Sequence, residues 1–230
     1  MSSPSIPTNV PWQMTAAQTM PSEVFEAWYA SGRPTGVPEA VLESLPDGGL
    51  PPWDTGRPQP AIVGLADAGL ITGRVLDVGC GTGDNALFLA ERGFSVTGVD
   101  SAPSALAAAR AKARERGLQV SFVLMDALEL ARLTERFDTV IDSGLLHVFS
   151  DEDRARLIAG LHAVLVPGGA YHLLCFSEHA TLPGPRRLTQ AEIRASFERG
   201  WEVEAIEAAR FEIRGNTPGG DAWLARIRRI

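Results

Sequence analysis

The stretch Val75-Leu-Asp-Val-Gly-Cys-Gly-Thr-Gly-Asp84 constrains the fold of this 230-residue chain more than any other. Val75, Leu76 and Val78 around Asp77 predict a buried strand, and Ala86-Leu-Phe-Leu-Ala90 predicts the start of a helix. Between them Gly79, Gly81 and Gly83 turn the chain tightly. Glycines at such a turn let the backbone approach a ligand with no Cβ in the way. The helix that follows presents free N–H groups and the positive end of its dipole to that ligand.

Strands and helices alternate from there onward. Ser95–Asp100 reads as a second strand, residues 119–126 as a third, Phe137–Ser143 as a fourth and Tyr171–Phe176 as a fifth. Helices are predicted over 84–92, 103–116 and 151–165, the last with Leu157, Ile158, Leu161 and Leu165 on one face. Thr189-Gln-Ala-Glu192 is a capping box for a helix to Arg199. Trp201–Ile213 and Ala222–Ile230 alternate apolar and polar residues, as an edge hairpin does. This order predicts an α/β fold with a doubly wound sheet, helices on both faces and a C-terminal antiparallel hairpin.

Upstream, Pro21–Gly32 reads as a short helix with Ser22 as N-cap and Gly32 as its stop. Residues 33–57 are a Pro/Gly-rich loop, and Pro58 and Pro60 open a helix through Ala68. Residues 1–57 are therefore expected as an N-terminal extension and lid carrying Trp12, Trp28, Tyr29 and Trp53, over a domain spanning 58–230. Phe176–Leu188 is expected to complete the lid.

Four strands in order carry a polar group at their carboxyl edge, where open α/β sheets bind ligands. A dinucleotide site wants G-x-G-x-x-G for a pyrophosphate, whereas this turn is G-x-G-x-G with Asp77 before it and Asp84 after it. Two flanking carboxylates suit a ligand that carries positive charge and an amino group. S-adenosylmethionine (SAM), a sulfonium joined to an α-amino acid, is such a ligand. Its expected contacts are Asp77, Gly79, Cys80, Gly81, Thr82 and Gly83 at the turn. Asp100 and Ser101 are placed for the ribose, Asp126 and Ala127 for the adenine, and Asp142 and Ser143 complete the edge. The Trp53 ring is a candidate wall for the sulfonium, since an aromatic face attracts a cation.

From about residue 51 to its end the chain resembles class I SAM-dependent methyltransferases. Val75–Asp84 is similar to their first motif, Val96–Asp100 to their second, and Leu165-Val-Pro-Gly-Gly-Ala170 to the turn before their fifth strand. Pro52-Trp-Asp-Thr-Gly-Arg-Pro-Gln-Pro60 resembles the W-D-x-G-x-x-x-P segment of the thiopurine, tellurite and halide/thiol group. Asp142-Ser-Gly-Leu-Leu-His-Val-Phe149 resembles small bacterial relatives that methylate heterocycles and quinones. The resemblance implies a Rossmann-like seven-stranded sheet. It also implies methyl transfer from SAM to an O, N or S atom of a small aromatic or heterocyclic molecule. Two alternatives stay open: a thiol, halide or thiopurine acceptor, and a protein that binds SAM without transferring methyl. His147 is the candidate general base and a substrate contact, with Trp28, Tyr29 and Phe176 as further substrate contacts.

Composition narrows the partners. A net charge of −7 without a Lys/Arg stripe disfavours nucleic acid. No apolar run is long enough to span a bilayer, and Met1–Thr8 does not read as a secretory signal. Cys80 and Cys175 are expected in a ligand loop and a core strand, which fits two reduced thiols and a cytoplasmic protein. No His/Cys spacing suggests a metal site. The sequence sets no oligomeric state. In calorimetry SAM and its demethylated product should bind and NADH should not. Asp100→Ala should weaken SAM by about 1–3 kcal/mol, since a buried charged acceptor loses its partners; unchanged affinity would remove Asp100 from the ribose site.

Overall fold

The computed structural model describes residues 14–32, 51–181, 184–214 and 219–230. Five strands run parallel to their neighbours: β1 (Arg74–Val78), β2 (Ser95–Asp100), β3 (Ser121–Leu124), β4 (Phe137–Ser143) and β5 (Leu165–Phe176). A hairpin of β6 (Trp201–Phe211) and β7 (Gly220–Arg229) follows, and β7 inserts antiparallel between β5 and β6. The resulting seven-stranded sheet has the order β3-β2-β1-β4-β5-β7-β6. Sequence order reverses between β1 and β4, and a crevice opens at the carboxyl ends of strands flanking such a reversal.

The helices are α1 (Ser22–Ser31), α2 (Pro60–Asp67), α3 (Asp84–Glu91), α4 (Pro103–Arg116), α5 (Asp151–Val164) and α6 (Gln190–Ser196). They cover both faces, because successive strand residues point to opposite sides. Val75 packs with Leu65, Leu87 and Leu106 from α2, α3 and α4. Leu76 and Val78 pack on the other side with Leu157 and Leu161 from α5. This two-sided burial explains why the central strands read as nearly continuous apolar runs.

Local chemistry sets the element ends, with some departures from expectation. Thr189 and Glu192 form the predicted capping box, but α6 stops at Ser196, short of Arg199. Gly32 ends α1 in a left-handed conformation, yet Ser22 is already helical and Pro21 takes the N-cap place without a side-chain cap. The expected turn before the fifth strand is absorbed into the strand. Phe137 pairs with Leu165 and Thr139 with Ala170, so the intervening glycines bulge out of register. A bulge lets α5 run directly into β5 without a separate loop.

Residues 14–32 form a strap over the carboxyl edge of the sheet. At one end, Asp151 N–H donates to the Ala16 carbonyl at 2.8 Å and Ser150 N–H to Thr19 Oγ1 at 2.9 Å. Thr19 Oγ1 then donates to Asp153 Oδ2 at 2.6 Å, so the strap fastens to the first turn of α5. At the other end, Glu26 accepts from Ser104 N–H at 3.0 Å and from Ser104 Oγ at 2.6 Å. A carboxylate there satisfies a free amide and the dipole at the start of α4. The lid expected from residues 1–57 is described only over 14–32 and 51–57, and Trp12 lies outside the described residues. Among the described residues no helix is long and apolar enough to cross a membrane.

Candidate active site

The glycine turn is stitched to the end of β2. Gly79 and Cys80 N–H groups both donate to the Val99 carbonyl, at 2.8 and 3.0 Å. Gly81 N–H donates to Asp100 Oδ2 at 2.7 Å, and Ala102 N–H to Asp100 Oδ1 at 2.8 Å. Asp100 thus bridges two turns while each oxygen keeps a further lone pair. Burial raises its pKa, and the backbone N–H groups around it pull the other way. Gly81 has φ +53°, and a Cβ there would come within 2.8 Å of Tyr29 Oη. Only glycine lets the strap lie this close.

One cavity runs along the crevice. At the β2 and β3 ends it is lined by Asp100, Ser101, Asp126 and Ala127, beside Met125 and Leu128. Asp126 also caps a 3-10 turn, accepting from Leu128 N–H at 2.9 Å. Gly79, Cys80, Gly81 and Thr82 form the floor, and Ser143 and Leu145 the wall at β4. Trp28, Tyr29 and Trp53 cover it from the N-terminal side. Trp53 Nε1 donates to Tyr29 Oη at 2.8 Å, and the Trp28 and Trp53 rings meet edge to face at 4.8 Å. Burial first, then the Asp100 charge, keep Tyr29 a neutral phenol by raising its pKa well above the ordinary value.

Three residues expected at the ligand do not line the cavity. Gly83, at φ +82°, faces away; a Cβ there would meet Phe122 and Ala109 at 3.0 and 3.1 Å, so this glycine serves helix packing. Asp77 is 1% exposed, its Oδ2 has no partner, and burial, reinforced by Asp100, raises its pKa to about 8. Asp142 is fully buried beneath the wall. It accepts from Leu145 N–H at 2.8 Å, Leu146 N–H at 3.1 Å and Tyr171 Oη at 2.7 Å. Burial lifts its pKa to about 6. Asp142 therefore shapes the turn that carries His147. Asp84 lines the cavity but is paired with Lys112 Nζ at 2.7 Å.

His147 sits at the far end of the cavity with Phe176 and Phe211. Its Nδ1 accepts the Phe176 N–H at 3.1 Å. Burial, followed by the charges of Arg187 and Arg154, lowers its pKa to about 3, with the Gly144 carbonyl opposing. A neutral imidazole whose Nδ1 accepts must carry its proton on Nε2. No lone pair then remains to take a proton, so this arrangement does not equip His147 as a general base. Phe211 had no local signal in the sequence: it reaches the site only because β7 pairs with both β5 and β6. Among the described residues no group of three His, Cys, Asp or Glu side chains could hold a metal.

Comparison with known proteins agrees with this geometry. Residues 75–169 match the methyltransferase domain family. A 2-heptyl-1-hydroxyquinolin-4(1H)-one methyltransferase of Mycobacteroides abscessus is 38% identical over 184 residues, covering 77% of this chain and 81% of that protein. The chain belongs to the class I SAM-dependent methyltransferases. A solved structure concerned with conversion of a disulfide bond into a thioacetal group during echinomycin biosynthesis is 38% identical. It matches at a TM-score of 0.78 and covers 90% of this chain and 91% of its own. A 1,6-didemethyltoxoflavin-N1-methyltransferase from Burkholderia thailandensis shares the fold alone, at 23% identity and a TM-score of 0.58 over 74% of this chain and 76% of its own.

SAM is the cofactor of this methyltransferase, and the residues present fit it. Asp100 offers carboxylate lone pairs at the end of β2, where ribose hydroxyls sit in such sheets. The floor of Gly79 and Gly81 is backbone that a Cβ would obstruct.

The buried acid below that floor has a thermodynamic signature. Folded Asp77 titrates at about 8, above an unfolded carboxylate near 4. Between those values the folded state holds a proton that the unfolded state has released. Its contribution to stability is therefore full below about pH 4 and is lost as pH rises towards 8. Asp77→Asn keeps an acceptor for the Ala86 N–H and removes the titration. In scanning calorimetry the variant should melt above the parent at pH 8, by a margin that shrinks towards pH 5. A variant less stable than the parent at pH 8 would mean that the ionised carboxylate is stabilising.

Proposed function

We propose that this methyltransferase acts on an O, N or S atom of a small aromatic or heterocyclic molecule. The observation that carries this reading is the wall of rings closing the cavity. His147 and Phe176 stack at 5.3 Å with 22° between planes, and Phe176 meets Phe211 at 5.1 Å. Such a wall suits a flat unsaturated ring, which gains both buried area and offset stacking. The relative that acts on a 1-hydroxyquinolinone supports a heterocycle with an acidic N-hydroxyl as the acceptor.

When bound, SAM would supply an electrophilic methyl on a positively charged sulfur, to be taken by the acceptor lone pair with the sulfur left as a neutral thioether. The protein's part is positioning. Leu145 and Ser143 shape the cavity between the cofactor floor and the ring wall, and Trp53, Trp28 and Tyr29 exclude water from above. Holding reactants in line can supply on the order of 7–11 kcal/mol of the barrier. A neutral His147 leaves an ionised acceptor as the nucleophile, with its proton already lost to water.

A sulfur acceptor is the second reading, favoured by the 38%-identical structure tied to disulfide-to-thioacetal conversion. Buried, unpaired Cys80 and Cys175 suit a reducing cytoplasm, and the net charge of −7 suits a small-molecule rather than a nucleic-acid partner.

Labelled SAM incubated with N-hydroxyquinolones, phenols, N-heterocycles, thiols and disulfides tests both readings. Transfer to an O, N or S atom of a ring acceptor supports the first, transfer to non-aromatic thiols or disulfides alone supports the second, and SAM binding without transfer to any acceptor overturns both. With a productive acceptor, His147→Ala should lower kcat/KM by a similar factor for a phenol and a thiolate. The parent should show no rate step near pH 6.5. A loss of about 10² confined to acceptors that must shed a proton would restore the base role.

A further inference from the structure

We propose that Asp54 is the carboxylate that receives the α-ammonium group of SAM. The cofactor carries two cationic centres into this cleft, and a desolvated ammonium needs a charged or strongly polar partner. The sequence offers Asp77 and Asp84 for that task, and the structure disqualifies both. Asp77 is sealed beneath the glycine turn and does not reach the cavity. Asp84 is already neutralised by Lys112 at 2.7 Å. Asp142 is occupied by two backbone amides and Tyr171. Asp100 and Asp126 stand at the β2 and β3 ends, where the adenosine lies. Of the acids that line the cavity among the described residues, Asp54 is left.

Its setting is that of a built contact. The side chain is 9% exposed, and Oδ1 accepts from Thr82 Oγ1 at 3.1 Å. Thr82 belongs to the glycine turn, so the carboxylate lies beside the floor of the cofactor site. Lys112 donates to the same Thr82 oxygen at 2.8 Å, which fixes the threonine hydroxyl as donor towards Asp54. The backbone is pinned at both ends: Asp54 N–H donates to the Pro51 carbonyl at 3.0 Å, and the Asp54 carbonyl accepts from Arg214 Nε at 2.9 Å. Oδ2 has no partner among the described residues. A nine-tenths-buried carboxylate is thus held in one place with one oxygen unpartnered among the described residues, next to a site whose ligand brings an ammonium. The residue before it, Trp53, is hydrogen-bonded to Tyr29 on the strap. The cofactor's amino-acid end would therefore be gripped from the segment that precedes the α/β domain.

Calorimetry with three probes tests this. SAM and S-adenosylhomocysteine carry the amino-acid end, and 5′-methylthioadenosine lacks it. Asp54→Asn should weaken the first two by about tenfold or more, as expected for a lost hydrogen bond to a charged group, and 5′-methylthioadenosine by less than about twofold. Unchanged S-adenosylhomocysteine affinity overturns the proposal. Equal weakening of all three probes also overturns it, because Asp54 would then only be supporting the turn. A measurement on the unaltered protein guards against a variant that misfolds. A desamino analogue of S-adenosylhomocysteine should bind more weakly than the parent compound by the same factor, and equal binding of the two refutes an ammonium–carboxylate contact. Retained 5′-methylthioadenosine binding throughout keeps the cofactor assignment separate from the fate of Asp54.

Discussion

The hydrogen bonds that Asp100 accepts from Gly81 and Ala102 organise this protein. They lock the turn after β1 to the turn after β2, and they do so on the floor of the cavity. Without them two glycine-rich or small-residue turns would each be free to choose a conformation. With them, the start of α3, the start of α4 and the β2 end of the cavity share one reference point. The strap completes the arrangement, since Tyr29 packs against Gly81 and Glu26 fastens to the first turn of α4. One carboxylate thereby links strand register, helix starts and strap.

The sequence made the sheet legible because each strand was bounded by a strong local signal. Gly79, Gly81 and Gly83 marked one end of a strand, Gly117 stopped α4 and the Thr189–Glu192 box started α6. Asp100 and Asp126 were also readable, since a strand's direction alone decides which edge carries its last residue. What could not be read was which carboxylates are already engaged. Asp77, Asp84 and Asp142 look alike along the chain, yet one is sealed, one is paired with Lys112 and one holds a turn. Those fates depend on Lys112 and Tyr171, residues of other elements that no local pattern connects to them. Phe211 and Asp54 were obscured for the same reason, being brought in by β7 pairing and by a loop that precedes the domain.

His147 shows how burial changes what a residue type means. A histidine five residues beyond a strand-end acid invites a proton-transfer role. In the fold that acid anchors the turn, and the ring stacks on Phe176 while accepting its amide. The Arg187 and Arg154 charges oppose a second positive charge there. The ring is then one more flat surface in the aromatic wall of the cavity.

The strap between Thr19 and Glu26 touches the domain through two helix starts, α5 at one end and α4 at the other. Between them the span is held as well, by Met20 N–H donating to the Val148 carbonyl at 2.9 Å and by Met20, Val24 and Phe25 packed against the core, so it lifts only when both polar tethers and this apolar middle let go together. Residence time of the spent cofactor would then be set by the rate at which those contacts break together. A carboxylate–hydroxyl contact is common to both tethers, so ionic strength would affect that rate less than it affects a bridge between full charges. The protein would keep much the same grip on its product in dilute and in concentrated salt.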